Sequence, residues 1–324
     1  MSLPRFGMGC SALGNLYSPT DDATAIATVH RALAQGLRYF DVAPHYGFGL
    51  AERRLGAALR GADRDTLTLS TKVGRLLEPT RDTGVRHGFV DADPFEPVFD
   101  YRYDAVLQSY EASRRRLGGA RIDILLAHDL GAETHGAEAE IHERDFVDGG
   151  YLALRELKGA GEIAAIGIGV NEIAVCDRLL DQVELDIVLL AGRYTLLEQG
   201  ALALLDRCAR EGVRVIVGGP FNSGLLVESG LARHYNYAPA PPDLIDRSDA
   251  LAAACAAVGI PLPAAALAFP FGHPAVACVL PGFGTTRHVD AFAKWRDAYV
   301  PAALWSRLRK DGLLARDVPV PGEA

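Results

Sequence analysis

No run of lysine or arginine in this chain is long enough to track a phosphate backbone, and the net charge is −8. Nucleic acid and anionic membrane are therefore disfavoured as partners. No apolar run is long enough to span a bilayer. No basic segment followed by an apolar stretch opens the chain, as a signal peptide requires. The five cysteines, Cys10, Cys176, Cys208, Cys255 and Cys278, are scattered, odd in number and without CxxC spacing. They read as reduced core residues, which makes a cytoplasmic protein without redox or metal-binding thiols the expectation. Internal repeats and low-complexity segments are also missing.

What is there is apolar and periodic. With 324 residues, 49% of them hydrophobic, the chain can bury one large core, although length alone also allows two domains. Eight short runs, FGMGC, LRYFDV, TLTLSTKV, IDILLAHD, AAIGIGV, DIVLLAG, VRVIVGG and VACVLPG, are continuously apolar rather than alternating. That suits strands covered on both faces. Helical segments lie between them. DDATAIATVHRALAQG has apolar positions near 3.6 spacing, acids in its first turn and Gly36 as a stop. Eight strand–helix units without a composition break predict an α/β fold, a (β/α)8 TIM barrel of eight parallel strands, with residues 1–324 as one domain. The rival is an open doubly wound sheet. GMGCSALG fits its G-x-G-x-x-G fingerprint poorly, with the third glycine two residues late. Long stretches follow three strand ends, Glu78 to Asp104, Asp129 to Gly149 and Phe221 to Asp243. This is the barrel face that builds active sites.

Polar residues close three of the apolar runs. Asp41 ends LRYFD, Lys72 ends TLTLSTK and His128 ends IDILLAH, and Tyr46 follows Asp41 by five residues. Singly, each has a plain structural reading: a turn or cap aspartate, a snorkelling lysine, a satisfied histidine. Together they fall on one face of one barrel, from strands two, three and four, and coincidence is the weaker reading. A tyrosine with an ordinary pKa of about 10 is a poor base near neutrality. A neighbouring ammonium favours the phenolate, and a carboxylate holds that ammonium charged. Such a tyrosine exchanges a proton with an alcohol or carbonyl oxygen, which an adjacent histidine orients. Interconverting hydroxyl and carbonyl also needs a hydride acceptor, so a nicotinamide cofactor is expected. Metal-dependent hydrolysis is the competing chemistry, because His128, His135 and His142 recur at seven-residue intervals. His135 and His142 lie in a glycine- and charge-rich stretch expected to be solvated loop, and no metal site is expected.

These segments, with IGIGVNE, VGGPFNSGLL and VLPGFGTT further along, resemble the aldo-keto reductases from end to end. The resemblance implies that Tyr46 is the general acid/base, Lys72 tunes it, Asp41 supports Lys72 and His128 directs the substrate oxygen. It implies that Asn171 holds the nicotinamide carboxamide. PFNSGLL, with Pro220, Phe221, Ser223, Gly224 and Leu226, is implied as the pyrophosphate turn, and Gly282, Gly284, Thr286 and His288 as contacts after strand eight. Two positions depart from the family. Ala191 stands where many members have glutamine, and Gly218 where an aromatic ring usually stacks on the nicotinamide; Tyr194 or Phe221 is expected to supply that surface. Gly282 and His288 replace the lysine and arginine that NADPH-preferring relatives place on the 2′-phosphate. NAD is therefore the expected cofactor, with NADP possible through Arg287. The short N-terminal segment lacks the hairpin that plugs the barrel in many relatives.

Several segments are most similar to bacterial family members that oxidise free sugars, of the D-threo-aldose or L-fucose type, and to pyridoxal dehydrogenase. This implies oxidation of a cyclic hemiacetal to a lactone, in a monomer or small homo-oligomer acting on a small molecule. His45, Arg75 and Asp129 are then candidate substrate contacts, or else turn and salt-bridge residues. An NADPH-dependent aldehyde or ketone reductase and a nucleotide-binding regulatory subunit are the alternatives.

Overall fold

A computed structural model describes residues 2–227, 234–235 and 238–323. Eight strands form one parallel sheet in chain order. They are β1 Met8–Gly9, β2 Tyr39–Asp41, β3 Thr68–Val73, β4 Ile124–His128, β5 Ala165–Val170, β6 Ile187–Ala191, β7 Arg214–Gly218 and β8 Val276–Leu280. Parallel bridges from Phe6 to Val279 and from Gly9 to Gly282 join the last strand to the first. The sheet is a closed barrel. One helix follows each strand: α1 Asp22–Ala34, α2 Leu50–Ala58, α3 Tyr103–Arg116, α4 Tyr151–Gly159, α5 Ile173–Leu180, α6 Leu202–Glu211, α7 Leu262–Ala268 and α8 Thr286–Arg296. Helices Pro242–Ala256 and Ala302–Lys310 are additional. Among the described residues no helix is long and apolar enough to cross a membrane.

The continuous apolarity of the strands has its reason in two separate cores. Inward residues, including Tyr39, Ile124, Leu126, Ile187, Leu189 and Ile216, fill the barrel, and Leu3 packs against them. Outward residues pack under the helices in a larger cluster. Local signals agree with this frame. The Asp21 side chain caps α1 by accepting from Thr24 N, and Gly36, at φ 83°, turns the chain after it.

Two of the long stretches are more ordered than the sequence suggests. The first opens as an antiparallel hairpin, Arg75–Pro79 against Phe95–Phe99. The second is mostly helical, with turns at Ala132–His135 and Ala139–Asp145. His135 and His142 are therefore not solvated loop residues. Their rings lie 4.3 Å apart, and both pack on Tyr101. The third stretch falls partly outside the described residues.

Gly74, between β3 and the hairpin, has φ 98°, and a Cβ there would overlap the Tyr101 ring. Gly74→Ala combines a disfavoured backbone with overpacking, and should cost at least about 2 kcal/mol in urea unfolding.

Candidate active site

Strand alternation puts Tyr39 and Asp41 of β2, Ser70 and Lys72 of β3, and Leu126 and His128 of β4 on the inner face. Register sets their heights: Asp41 pairs with Ser70, and Lys72 with Leu126. Lys72 is 2% exposed. Its Nζ donates to Asp41 Oδ2 at 2.8 Å and to the Val42 carbonyl at 3.0 Å. Ser70 donates to the other Asp41 oxygen at 2.6 Å, so Tyr39 OH, 2.9 Å from Ser70 Oγ, donates in turn to the serine. Gly169 of β5 keeps the channel open, since a Cβ there would sit 3.1 Å from Lys72 Cε. Burial alone would favour the neutral amine. The Asp41 charge, Tyr46 and the hydrogen bonds to both outweigh it, and the Lys72 pKa is raised above its ordinary value. Lys72 is an ammonium at any physiological pH.

Tyr46 stands on a turn rather than a strand. Gly47, Phe48 and Gly49 after it all have positive φ. Gly14 backs the turn so closely that a Cβ there would lie 2.5 Å from the Tyr46 carbonyl carbon. His45 and Tyr46 are half-buried while their neighbours on both sides are buried. The Tyr46 ring centroid is 4.9 Å from Lys72 Nζ, and the tyrosine helps to hold that ammonium charged. His128 meets the ring edge-on, centroids 6.0 Å apart.

The four groups that the sequence singled out therefore meet at the mouth of the barrel. The His128 carbonyl accepts from Tyr101 OH at 2.5 Å. His135 Nε2, 3.0 Å from the same hydroxyl, must then donate to it. Burial, then the charges of Arg75, Lys72 and His45, hold the His128 pKa well below its usual value. Burial and the charges of Arg75, His87 and Lys72 do the same to His45. Both imidazoles are neutral at neutral pH and offer one N–H each. Arg75 and Asp129 form an ion pair at 2.5 Å beside them. Burial raises the Asp129 carboxyl above its usual range, against the opposing pull of Arg75 and Lys72. On the opposite side, His45 packs edge-on against Phe48, His87 and Phe89.

The sequence did not point to Ser70, Tyr39 or the aromatic wall, and it offered Tyr101 only as one of several residues of a long stretch that could cover a pocket. Ser70 and Tyr39 had a signal, lying two residues before Lys72 and Asp41 on the same face. Phe89 had none, because a hairpin and its flanks bring it in.

Residues suited to a dinucleotide lie further round the same rim. Asn171, just past β5, is half-buried. Asn222, Ser223 and Gly224 are three successive residues with positive φ, and Ser223 and Gly224 are exposed. Gly282, Thr286, Arg287 and His288 are exposed at the start of α8, and Gly284 is half-buried beside them. Only Thr285 caps that helix, accepting from His288 N. The first-turn amides of α8 and the open 223–224 turn are the donor set a diphosphate requires. A nicotinamide dinucleotide fits the residues present.

Three expectations need correction. The Tyr194 ring is wholly buried against Phe269 and His273, so its face is closed to a ligand at the mouth. Leu226 is also wholly buried, with its N–H spent on the Phe221 carbonyl. Phe221 turns its ring edge-on to Trp295 of α8, which makes it helix packing as much as rim. Nearby, the unforeseen Asn222 ties the loops after β6 and β7 together, accepting from Thr195 Oγ1 at 2.6 Å and donating to the Gly192 carbonyl at 3.1 Å. Among the described residues no group of three or more histidine, cysteine or acidic side chains is placed to hold a metal ion.

A barrel with a lysine-supported tyrosine and a neutral histidine at its mouth, beside a dinucleotide-shaped rim, has the form of an oxidoreductase that moves protons with its own side chains. Residues 5–310 match the model of the aldo/keto reductase family. Pyridoxal 4-dehydrogenase of Microbacterium luteolum is 36% identical, with 97% of this chain and 96% of that protein covered. D-threo-aldose 1-dehydrogenase of a Pseudomonas species is also 36% identical, covering 99% and 96%. An aldo-keto reductase of Bacillus halodurans in its holo form superposes with a TM-score of 0.74 at 25% identity, covering 98% of this chain and 94% of that one. The chain belongs to the aldo/keto reductase family and is an NAD(P)-dependent oxidoreductase.

Proposed function

We propose that this enzyme oxidises the hemiacetal carbon of a free aldose, or of a similar lactol such as pyridoxal, to a lactone, with NAD as the preferred acceptor. The observation that carries the reading is the buried Lys72–Asp41 pair beside the Tyr46 ring, with His128 edge-on to that ring. Likeness to a pyridoxal and an aldose dehydrogenase supports the choice of a lactol. Tyr46 Oη takes the proton of the anomeric hydroxyl, and the Lys72 ammonium stabilises the phenolate that receives it. Asp41 holds the ammonium in place, and the N–H of neutral His128 donates to the same substrate oxygen as its carbonyl forms. A bound nicotinamide supplies the hydride acceptor. Asn171 holds its carboxamide, while the Ser223–Gly224 turn and the α8 amides bind the diphosphate.

The rim also bears on which dinucleotide is used. Gly282 has no side chain and His288 is not a fixed cation, so Arg287 is the one permanent charge at the start of α8. A 2′-phosphate finds few charge-assisted bonds there. Initial rates with L-fucose, D-arabinose, L-galactose, pyridoxal and simple aldehydes, each with NAD and NADP, test both halves of the reading. The expected result is turnover of at least one lactol, with kcat/KM for NAD higher by about tenfold or more. A higher kcat/KM for NADP overturns the cofactor preference. Turnover confined to aldehyde reduction overturns lactol oxidation.

A further inference from the structure

We propose that Asp129 is a specificity-determining residue that recognises a hydroxyl on the carbon next to the reacting one, which selects neutral, vicinally hydroxylated lactols over simple aldehydes and alcohols. This rests on the lactol-oxidation reading of the same site. Asp129 follows β4 directly and adopts a left-handed backbone, φ 47°, with its N–H bonded to the Gly169 carbonyl at 2.9 Å. That turn places the carboxylate beside the imidazole before it: Oδ2 lies 3.3 Å from His128 Nε2. A buried cation holds it there. Arg75 is 5% exposed, its Nη2 is 2.5 Å from the same oxygen, and its guanidinium lies 5.1 Å from the Phe99 ring centroid. Arg75 engages Oδ2, which leaves Oδ1 as an acceptor on a side chain 14% exposed.

The pocket is therefore two-sided. One side carries a fixed carboxylate, and another is aromatic, with Phe89 5.4 Å from the His45 ring and 6.4 Å from the Tyr46 ring. A substrate oxygen shared by Tyr46 and His128 places the hydroxyl of the adjacent carbon on the Asp129 side. An ionised carboxylate only accepts hydrogen bonds, so it favours an O–H there and repels an anion. The C–H face of the ring is left for the aromatic wall.

The test compares kcat/KM for a turned-over aldose and its 2-deoxy counterpart, in the wild type, in Asp129→Ala, and in Arg75→Met/Asp129→Leu. The double variant removes both charges and leaves no unpaired ion in the fold. NAD binding, followed by quenching of protein fluorescence, reports that each variant is folded. The wild type should prefer the 2-hydroxylated sugar by about 10- to 100-fold, the worth of one hydrogen bond to a charged group. In both variants that preference should shrink to about threefold or less. If the ion pair only braces the fold, both sugars lose alike and the ratio stays put, which overturns the proposal. A wild-type ratio near one overturns it as well, while lactol oxidation stands. Absence of turnover with every aldose overturns this proposal, and lactol oxidation falls with it only if pyridoxal is not oxidised either.

Discussion

Tyr46→Phe should turn over its substrate about 10²–10⁴ times more slowly than the wild type, the usual worth of a positioned acid/base. The substitution removes one oxygen and little else. The ring keeps its place between Phe89 and His128, at centroid distances of 6.4 and 6.0 Å. Lys72 keeps its bonds to Asp41 and Val42, so no buried charge is stranded. Stability should therefore change by only about 1 kcal/mol, the value of a single hydrogen bond. The loss belongs in kcat, since the proton is transferred in the transition state and the phenol adds little to ground-state binding. Steady-state kinetics, with NAD affinity measured separately, check this. Undiminished turnover would remove Tyr46 from the reaction. An equal loss in NAD affinity would instead indicate a disturbed rim.

The legible part of this protein was the part that period and position encode. Continuous apolar runs marked all eight strands because each is covered inside and out, by the barrel core and by the helix layer. Asp41, Lys72 and His128 stood out because a polar residue ending an apolar run is anomalous by itself. Tyr46 had only its place five residues past Asp41, and the resemblance is what assigned it the acid/base role. Tyr194 misled for a related reason. The sequence shows an aromatic residue three positions after β6, and cannot show that the chain turns it under the rim against Phe269. Arg75 and Asp129 are 54 residues apart, the same offset as Lys72 and Leu126, so the parallel pairing of β3 and β4 sets them side by side just past the strand ends. Long-range side-chain pairs of that kind leave no trace in periodicity. The same limit hid the bond of Tyr101, whose hydroxyl donates to the His128 carbonyl.

Lys72→Met should be damaging twice over, and the two losses can be separated. Removing the ammonium strands Asp41, which is 4% exposed, as an unpaired buried charge. The expected cost is about 3–5 kcal/mol in urea unfolding. Asp41→Asn strands Lys72 and should cost a similar amount. The double variant Asp41→Asn/Lys72→Met has no charge to strand, and Ser70 can still donate to the amide oxygen. Most of the lost stability should return, because the desolvation cost of the pair largely cancels its attraction. Activity should not return. Without a cation beside it, a phenolate at Tyr46 has no charge to stabilise it, and kcat near neutrality should stay depressed by about 10² or more. The pH dependence has a definite sign. The folded Lys72 pKa is raised above the ordinary value of 10.5, so its contribution to stability is complete below that pH and fades only as the pH rises through the folded value. Between pH 6 and 9 the Lys72 ionisation should thus add no slope to the stability difference between wild type and Lys72→Met. A double variant as unstable as either single would mean that shape, not charge, holds this part of the barrel together. Recovery of turnover in the double variant would mean that the ammonium is dispensable to the phenol beside it.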